Sequence, residues 1–253
     1  MKLNFASDLH LELDENARYL KDFPLIPSGD ILILAGDIGN IDDSRYEDHS
    51  FWDWASECYK RVLVVPGNKE FYGNYDLSRL KNGMKVEIRH NIHWYYNQSE
   101  SIDGVEFILT PLWSFIPVSA ENTVTKIHPD FKFIHYNDKP LTVDIYNKLH
   151  SQCIDFLMNE LLEKGGKRIV VTHHAPAIQC MTEEFKGNPM NCAFYSDLEK
   201  LIKLYNPEYW IYGHSHRNIG NLQIGKTALL SNQLGYIHKS EQHNFERASC
   251  FII

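Results

Sequence analysis

The chain has 253 residues, 43% hydrophobic and 13% aromatic, which allows a large buried core and argues against a disordered chain. The net charge of −8 argues against a general nucleic-acid binder, which usually carries a basic face, although it does not exclude a metal-dependent nuclease. Five cysteines without a CxxC pair predict free thiols, and the sequence shows neither a signal peptide nor a membrane span, so we expect a cytoplasmic protein.

Three short apolar runs in the first 70 residues are predicted to be buried strands, and each is followed by polar side chains. Side chains at positions i and i+2 of an extended segment point the same way, so Asp8 and His10 are expected to reach one point. Open α/β folds bind ligands beyond the carboxyl ends of such strands, so Asp37 and Asn68 are expected in a site. The runs end in Ser7-Asp8-Leu9-His10, in Gly36-Asp37 and in Pro66-Gly67-Asn68-Lys69-Glu70.

Strands and helices are predicted to alternate along this part of the chain, which favours a largely parallel sheet. Residues 11–30 contain two prolines and a glycine and are predicted to be a connection. Helical spacing of apolar residues predicts a helix from Phe51 to Tyr59, and a second helix is predicted over Leu77–His90. Two further strands are predicted over Ile92–Asn97 and Val105–Thr110, with a turn at Asp103-Gly104.

Residues 114–140 are predicted to be irregular, because they contain three prolines and many aromatic side chains. We expect this segment to be an insertion over the site that shapes the substrate pocket, or else a packed surface loop. No boundary divides the chain, so residues 1–253 are predicted to form a single domain. A long amphipathic helix is predicted from Thr142 to Lys164.

Two more buried strands in the second half of the chain run into histidines. Arg168–Thr172 is followed by His173 and His174, and Tyr209–Tyr212 is followed by Gly213-His214-Ser215-His216. The segment Leu222–Asn232 is predicted to be a hairpin that turns at Gly225. Five strand ends therefore carry side chains that can bind a metal ion.

The residue types at these strand ends indicate the kind of metal. Carboxylates, one amide oxygen and several imidazoles suit divalent or trivalent ions such as Mn, Fe or Zn, and the absence of a cysteine ligand argues against a structural zinc site. The ligands suffice for two ions if one carboxylate bridges them, whereas they are too many for a single-metal oxygenase-like site. Two ions about 3.5–4 Å apart can hold the attacking and leaving oxygens of an in-line displacement.

The order D-x-H, G-D, G-N-x-E, a strand ending in His and then G-H-x-H resembles the calcineurin-like metallophosphoesterase family over residues 8–216. The resemblance implies an α/β fold, a four-layer α/β/β/α sandwich of two mixed β-sheets flanked by helices. It also implies hydrolysis of phosphomonoesters or phosphodiesters by a hydroxide that bridges two metal ions. By motif position, one ion would be held by Asp8, His10, Asp37 and His216, and the other by Asp37, Asn68, His173 and His214, while His174 would have a supporting role.

One motif departs from the family. The third motif usually reads G-N-H-[DE], but Lys69 stands where the family has the histidine that contacts phosphate and protonates the leaving group. Asn40 falls where several members have the aspartate that orients that histidine. A lysine, with a pKa of about 10.4, is a poorer general acid at neutral pH than a histidine at about 6.5. Lys69 is therefore an acid or electrostatic clamp, an adaptation to good leaving groups, or a substitution that weakens catalysis.

These observations favour a phosphoesterase acting on a small molecule, with Asn68, Lys69 and His214 contacting the phosphate. A nuclease is disfavoured by the negative charge and by the absence of a basic stripe. A non-catalytic metal- or phosphate-binding module on the same fold stays open because of Lys69. The aromatic residues Tyr72, Trp113, Phe115 and Tyr136 are candidates for the mouth of the pocket, although packing in the core or lid is their favoured role. Candidates for phosphate contacts are His135, His150 and Arg217.

Overall fold

The computed structural model describes residues 1–42, 44–162, 166–185, 187–220 and 222–253. The strands are β1 (Lys2–Ala6), β2 (Ile31–Ala35), β3 (Arg61–Val65), β4 (Met84–Arg89), β5 (Ile92–Tyr96), β6 (Gln98–Ile102), β7 (Val105–Thr110), β8 (His135–Tyr136), β9 (Lys139–Pro140), β10 (Lys167–Thr172), β11 (Tyr209–Ile211), β12 (Leu222–Ile224), β13 (Thr227–Leu230) and β14 (Cys250–Ile252). The α-helices are α1 (Asp14–Asp22), α2 (Ser44–Glu47), α3 (Ser50–Cys58), α4 (Val118–Ile127), α5 (Asp130–Phe133), α6 (Val143–Leu162) and α7 (Glu199–Tyr205).

The long strands form two six-stranded sheets with the same pattern of directions. The order is β14-β1-β2-β3-β5-β4 in the first sheet and β12-β13-β11-β10-β7-β6 in the second. In each sheet the four central strands are parallel, and each edge strand runs antiparallel to its neighbour. The parallel arrangement predicted from the sequence is confirmed for the central strands, so their carboxyl ends lie along one edge of each sheet.

The two sheets pack face to face, and helices cover their outer faces. Successive strand side chains point to opposite faces, and both faces of the central strands are buried. Ile33 of β2 belongs to the apolar cluster between the sheets together with Phe107 of β7, whereas the neighbouring Leu34 clusters with Trp52 of α3. Val170 of β10 belongs to the cluster on the other outer face, which includes one side of α6. The four-layer α/β/β/α sandwich is therefore confirmed.

The helix predicted over Leu77–His90 is wrong. A short 3-10 turn at Leu77–Arg79 precedes β4, in which partly buried Val86 lies between the exposed side chains of Lys85 and Glu87. This alternation has the period of two that is typical of a strand with one covered face. The antiparallel pairing of β4 with β5 at the sheet edge decides the conformation of this segment.

Two other connections contain more structure than the sequence predicts. Residues 11–30 include helix α1, which buries Asn16 and Leu20, four positions apart on one face. Gln98–Ile102 forms β6, and the predicted turn at Asp103-Gly104 joins it to β7. The helix predicted from Phe51 to Tyr59 is confirmed as α3, as is the hairpin that turns at Gly225 between β12 and β13.

The segment 114–140 contains more regular structure than predicted, namely α4, α5 and the hairpin β8–β9. Two of its prolines precede helices and do not interrupt them, since Pro117 and Pro129 are the N-cap residues of α4 and α5. The third, Pro140, ends β9 of the two-stranded hairpin. A function of this segment as a lid stays a prediction, as does the single-domain organisation of the chain.

The long amphipathic helix is confirmed as α6, although its predicted end at Lys164 lies outside the described residues. All five cysteines are free. Within the described ranges, no helix combines the length and the apolar character needed to cross a membrane.

Candidate metal centre

The predicted ligands lie at the carboxyl ends of parallel strands in both sheets. In the first sheet, Asp8 and His10 follow β1, Asp37 follows β2 and Asn68 follows β3. In the second sheet, His173 follows β10, and His214 and His216 follow β11. Because the carboxyl ends of the two sheets meet at one end of the sandwich, residues from 8 to 216 converge there.

The side chains of Asp8 and His10 do meet, but the backbone conformation that brings them together differs from the one expected. The prediction relied on an extended segment, but both residues have a left-handed backbone, with φ of 55° and 50°. Three other ligand candidates share this conformation. Their φ values are 54° at Asp37, 77° at His214 and 53° at His216. Positive φ is uncommon outside glycine, although Asp, Asn and His adopt it most readily. Such backbone strain clusters at functional sites.

The side chains form two groups of potential metal ligands that share one carboxylate. The first group comprises Asp8, His10, Asp37 and His216, and the second comprises Asp37, His173 and His214. Within each group, one ligand atom per residue lies within 4.8 Å of all the others. Asn68 adds an amide oxygen to the second group, because its Oδ1 lies 3.1 Å from His173 Nε2. The structure thus brings together all seven residues predicted as ligands.

In the second group, each imidazole is fixed by a backbone carbonyl on its outer side. His173 Nδ1 donates to the Ala35 carbonyl oxygen at 2.9 Å, and His214 Nε2 donates to the Ala193 carbonyl oxygen at 3.2 Å. A carbonyl oxygen only accepts, so each of these nitrogens carries the proton. In a neutral ring the other nitrogen is then left with a lone pair that faces the group.

In the first group, carboxylates have the same function. His10 Nδ1 lies 3.1 Å from Glu12 Oε1, and His216 Nδ1 lies 2.7 Å from Glu241 Oε2. Metal-bound histidines in proteins usually donate their second nitrogen to a carboxylate or carbonyl in this way, which fixes the tautomer and the ring orientation.

The inner nitrogens therefore face one another at short range. His173 Nε2 lies 3.1 Å from His214 Nδ1, and His10 Nε2 lies 3.0 Å from His216 Nε2. Two lone pairs at this separation repel each other unless a cation lies between them or a ring takes up a second proton. Each of the two groups therefore offers inner nitrogen atoms that can bind a metal ion.

The pKa values indicate the same need for positive charge. Burial alone would lower the pKa of His173, but the Asp37 carboxylate outweighs burial and raises it to about 9. Burial is likewise outweighed at His216, where hydrogen bonds to Asp8 and Glu241 raise the pKa to about 9. The pKa of His214 is held well below its usual value by burial and by neighbouring histidines. The buried carboxylates thus attract cations, and a metal ion would satisfy them.

Two glycines let these side chains approach closely. A Cβ at Gly36 would collide with the His173 imidazole, and one at Gly67 would collide with both His173 and the Asp37 carboxylate. Gly36 also has a φ of +89°, which disfavours other residues. The glycines that end β2 and β3 are therefore part of the construction of the site.

Glu70 is a buried carboxyl that the sequence analysis did not identify as a site residue. It accepts hydrogen bonds from the backbone nitrogens of Asp37 at 2.9 Å, Ile38 at 2.6 Å and Gly67 at 2.7 Å. These bonds join the turn after β2 to the turn after β3. The sequence offered a signal in the G-N-x-E motif, although that motif does not reveal which backbone groups the glutamate binds.

Asp130 was also missed, and it comes from the first residue of α5. Its Oδ1 accepts from Asn68 Nδ2 at 2.7 Å and from the Tyr72 hydroxyl at 2.6 Å, and the residue is fully buried. Because the amide nitrogen of Asn68 binds Asp130, the amide oxygen is directed toward His173. No pattern in the sequence marks Asp130, since it lies in a segment that was predicted to be irregular.

Lys69 lies beside the shared carboxylate. Its backbone nitrogen donates to Asp37 Oδ1 at 2.9 Å, and its ammonium lies 4.6 Å from the centre of the Tyr236 ring and 5.5 Å from that of Tyr72. Asn40, oriented with its amide nitrogen toward the turn, donates to the carbonyl oxygens of Lys69 and Tyr72. Asn40 therefore binds backbone groups, not the Lys69 ammonium.

His174 belongs to neither group of ligands. Its Nε2 lies 3.2 Å from the Tyr146 hydroxyl and its Nδ1 lies 3.3 Å from the Pro111 carbonyl oxygen. The centre of its ring lies 4.2 Å from that of His214, with the two rings tilted by 37°. Burial together with the charge of His173 lowers the pKa of His174 well below the usual value. The fully buried ring of His174 therefore packs against His214 from outside the two groups.

The groups open into a cavity of about 430 Å³, which is lined by Asp37, Asn68, Lys69, His214 and His216 among others. Of the other residues considered, Tyr72 and Arg217 also line it. Trp113 is completely buried in the core, Phe115 is 52% exposed, and Tyr136, His135 and His150 are absent from the lining.

Known proteins are similar to this chain in sequence and in fold. The family model of the calcineurin-like phosphoesterases matches residues 1–218. The uncharacterized protein L509 of Acanthamoeba polyphaga mimivirus is 32% identical over 96% of this chain and 93% of its own length.

Two solved structures are similar in fold. Phosphopantetheinyl hydrolase from Mycobacterium tuberculosis aligns with a TM-score of 0.70 and 17% identity, covering 96% of this chain and 92% of that one. A dimetal phosphatase from Danio rerio aligns with a TM-score of 0.52 and 13% identity, covering 92% of this chain and 87% of that one. The length of the family match and the arrangement of both sheets lead to one conclusion: the chain belongs to the calcineurin-like phosphoesterase family.

Proposed function

We propose that this protein is a binuclear metal-dependent phosphoesterase that hydrolyses small phosphomonoesters or phosphodiesters. Membership of the family supports the class of reaction. The two groups of ligands that share Asp37, with the inner nitrogens of their histidines facing one another, support the use of two ions.

In this proposal, Asp8, His10, Asp37 and His216 would hold one ion. Asp37, Asn68, His173 and His214 would hold the other, so Asp37 belongs to both sets of ligands. Carboxylate, amide and imidazole ligands without a thiolate suit Mn, Fe or Zn. When bound, such ions lower the pKa of a coordinated water and neutralise the charge of phosphate oxygens.

The side chains around the ions position the substrate. Lys69 presents a fixed positive charge at the cavity wall, where it stabilises the negative charge that develops on the phosphoryl group. Asn68 keeps its amide oxygen toward the ions because Asp130 holds its nitrogen. His214 lines the same cavity beside them, and all three residues are proposed to contact the phosphate side of the site.

The proposed partner is a small molecule, because the chain carries a net charge of −8 and the site lies in a cavity. Nucleic acid is a less favoured substrate for the same reasons. Lys69 is the observation that favours a second candidate, a metal- and phosphate-binding module with little or no catalysis, because the usual general acid is replaced.

The test combines metal analysis with hydrolysis. We expect the protein loaded with Mn, Fe or Zn to bind two equivalents and to hydrolyse aryl phosphomonoesters or aryl phosphodiesters, with the ratio of the two activities giving the preference. Asp37→Asn is expected to weaken metal binding by more than about 100-fold, the upper end of what the loss of a ligand-supporting group costs. Fewer than one equivalent in the wild-type protein after Mn loading would contradict the proposal. Two bound equivalents without hydrolysis would favour the non-catalytic module.

A further inference from the structure

The cavity has two walls of different chemistry. Beside the first group of ligands, the centre of the Tyr236 ring lies 4.7 Å from that of His10 and 4.6 Å from that of His216. The ammonium groups of Lys69 and Lys239 each lie 4.6 Å from the centre of the same tyrosine ring. The Glu241 carboxylate on the same side is already paired with His216 and Arg217, so the two ammonium groups suit the phosphate end of a substrate.

A second wall starts at the second group of ligands and is largely apolar. The ring of Phe194 lies 4.8 Å from that of His214, and it is followed by further apolar side chains from the turns between β10 and α7. We call this set the apolar wall, and it consists of Met181, Phe185, Met190 and Phe194. Met181 is only 4% exposed, so this wall is continuous with the core.

Three polar side chains beside the apolar wall already have partners within the described part of the protein. Asn191 Nδ2 donates to the Phe185 carbonyl oxygen at 2.6 Å, and Asn188 Oδ1 accepts from the Met190 nitrogen at 2.9 Å. Arg217 lies over the Phe185 ring and its Nε donates to Glu184 at 2.7 Å. These contacts reduce the number of side-chain atoms along this wall that could bind a sugar or another hydroxyl-rich group.

The volume of the cavity leaves room for more than a phosphate. At about 430 Å³ it lies within the range of about 300–1,000 Å³ that is typical of sites for drug-sized ligands. A phosphate held at the ions would occupy one end, and its organic substituent would then extend along whichever wall matches it. An apolar substituent on the apolar wall would remove apolar surface from water on both sides.

We propose that the apolar wall is the subsite for the organic group of the substrate, and that the substrates are phosphate esters of apolar alkyl or aryl alcohols. The inference rests on the proposed function, since it places the phosphate of that substrate at the two ions.

The test uses ethyl, butyl and hexyl phosphonate, which carry the same anionic head and are not hydrolysed. Calorimetry with the Mn-loaded protein measures their affinity directly, and competition with an aryl phosphate ester shows whether they bind in the same cavity. We expect affinity to rise with chain length by up to about fourfold for each methylene that becomes buried. Equal affinities for ethyl and hexyl phosphonate would overturn the subsite.

A matched pair of substitutions separates the wall from general effects on the protein. Met190→Gln places an amide in the apolar wall. We expect it to lower the affinity for hexyl phosphonate at least fivefold and to reduce the dependence of affinity on the chain length of the phosphonate. Met158→Gln makes the same change at a residue of α6 that is 42% exposed and absent from the cavity lining, and it should leave the dependence as in the wild type. If the affinity of Met190→Gln depended on chain length as strongly as that of the wild type, the proposal would be overturned.

The two proposals fail in different ways. Hydrolysis of aryl phosphates combined with equal phosphonate affinities would overturn the subsite and leave the phosphoesterase proposal in place. Binding that rises with chain length, without hydrolysis of any ester by the metal-loaded protein, would overturn the enzymatic function and support the subsite as a binding site alone.

Discussion

Lys69 changes what the third motif of the family can do. Its ammonium packs over two tyrosine rings, and interactions of this kind contribute about 0.5–1 kcal/mol at exposed sites and more when desolvated. The rings of Tyr72 and Tyr236 therefore keep the positive charge inside the cavity, beside the shared carboxylate Asp37. Such a charge stabilises an anionic transition state whether or not it also donates a proton.

Substitution of Lys69 separates electrostatic stabilisation of the transition state from proton donation to the leaving group. We expect Lys69→His to raise kcat for alkyl phosphates, which have poor leaving groups, by up to about 100-fold, the low end of general acid–base contributions. Aryl phosphates, which need little protonation, should change less than twofold. The measurement is the ratio of kcat values for the two ester types across wild type, Lys69→His and Lys69→Gln. Equal effects of Lys69→His on both esters would reject the general-acid explanation.

The ligands themselves were predictable, but the residues that hold them were not. Asp8, Asp37 and His214 stand directly after apolar runs, where a short motif and a strand end coincide. Glu241 and Asp130 lie in turns and short helices, so which ligand each contacts depends on the path of the whole chain. Periodicity describes local structure and carries no information about such long-range pairs.

At the scale of elements, α5 connects the segment 114–140 to the metal centre. Its first residue, Asp130, accepts hydrogen bonds from Asn68 and Tyr72 and is completely buried. This contact gives the segment a structural function in the site, in addition to any function over the pocket.

Removal of this carboxylate should therefore affect metal binding. We expect Asp130→Ala to lower the affinity for a metal ion at Asn68, His173 and His214 by about 10–100-fold, because the amide of Asn68 loses its fixed orientation. Metal titration followed by calorimetry measures the change, with the exposed Asp144→Ala of α6 as the control for loss of a carboxylate. Unchanged affinity for both ions in Asp130→Ala would show that Asn68 does not need this support.

The elements themselves were predictable where the pattern was unambiguous. The buried strands β2, β3 and β10 appear in the sequence as unbroken apolar runs, and the stripe of α6 has clear helical spacing. The strand β4 was mistaken for a helix because a short edge strand with charged residues resembles an amphipathic segment. The segment 114–140 was mistaken for a loop because its prolines cap helices as readily as they break them.

At the scale of the whole molecule, the sandwich could not be derived from strand patterns alone. An apolar run shows that both faces of a strand are buried, but it does not show whether a helix or a second sheet covers each face. The resemblance to the family supplied that information, and the alternating membership of Ile33 and Leu34 in two separate clusters confirms it.

Each group of ligands draws on both sheets. Asp8, His10 and Asp37 come from the first sheet and His216 from the second, while the second group joins Asp37 to His173 and His214. Bound ions would therefore link the sheets. A ligand that binds only the folded state, at 100 times its Kd, adds about 2.7 kcal/mol to the free energy of unfolding.

We accordingly expect saturating Mn to raise the Tm by about 5–10 °C, since 1 kcal/mol corresponds to about 2–4 °C in a chain of this size. Differential scanning calorimetry with Mn or with excess chelator measures the shift, and Asp37→Asn should show little of it. An equal shift in that variant would mean that the metal stabilises the fold at another place.

The left-handed backbone at Asp8, His10, Asp37, His214 and His216 also restricts how this centre can change during evolution. Asparagine tolerates the same conformation, so a carboxylate can lose its charge while the chain keeps its path. A β-branched residue at these positions would have to distort the turn itself. Gradual loss of metal affinity is therefore an easier mutational route for this site than the exchange of one ligand type for another.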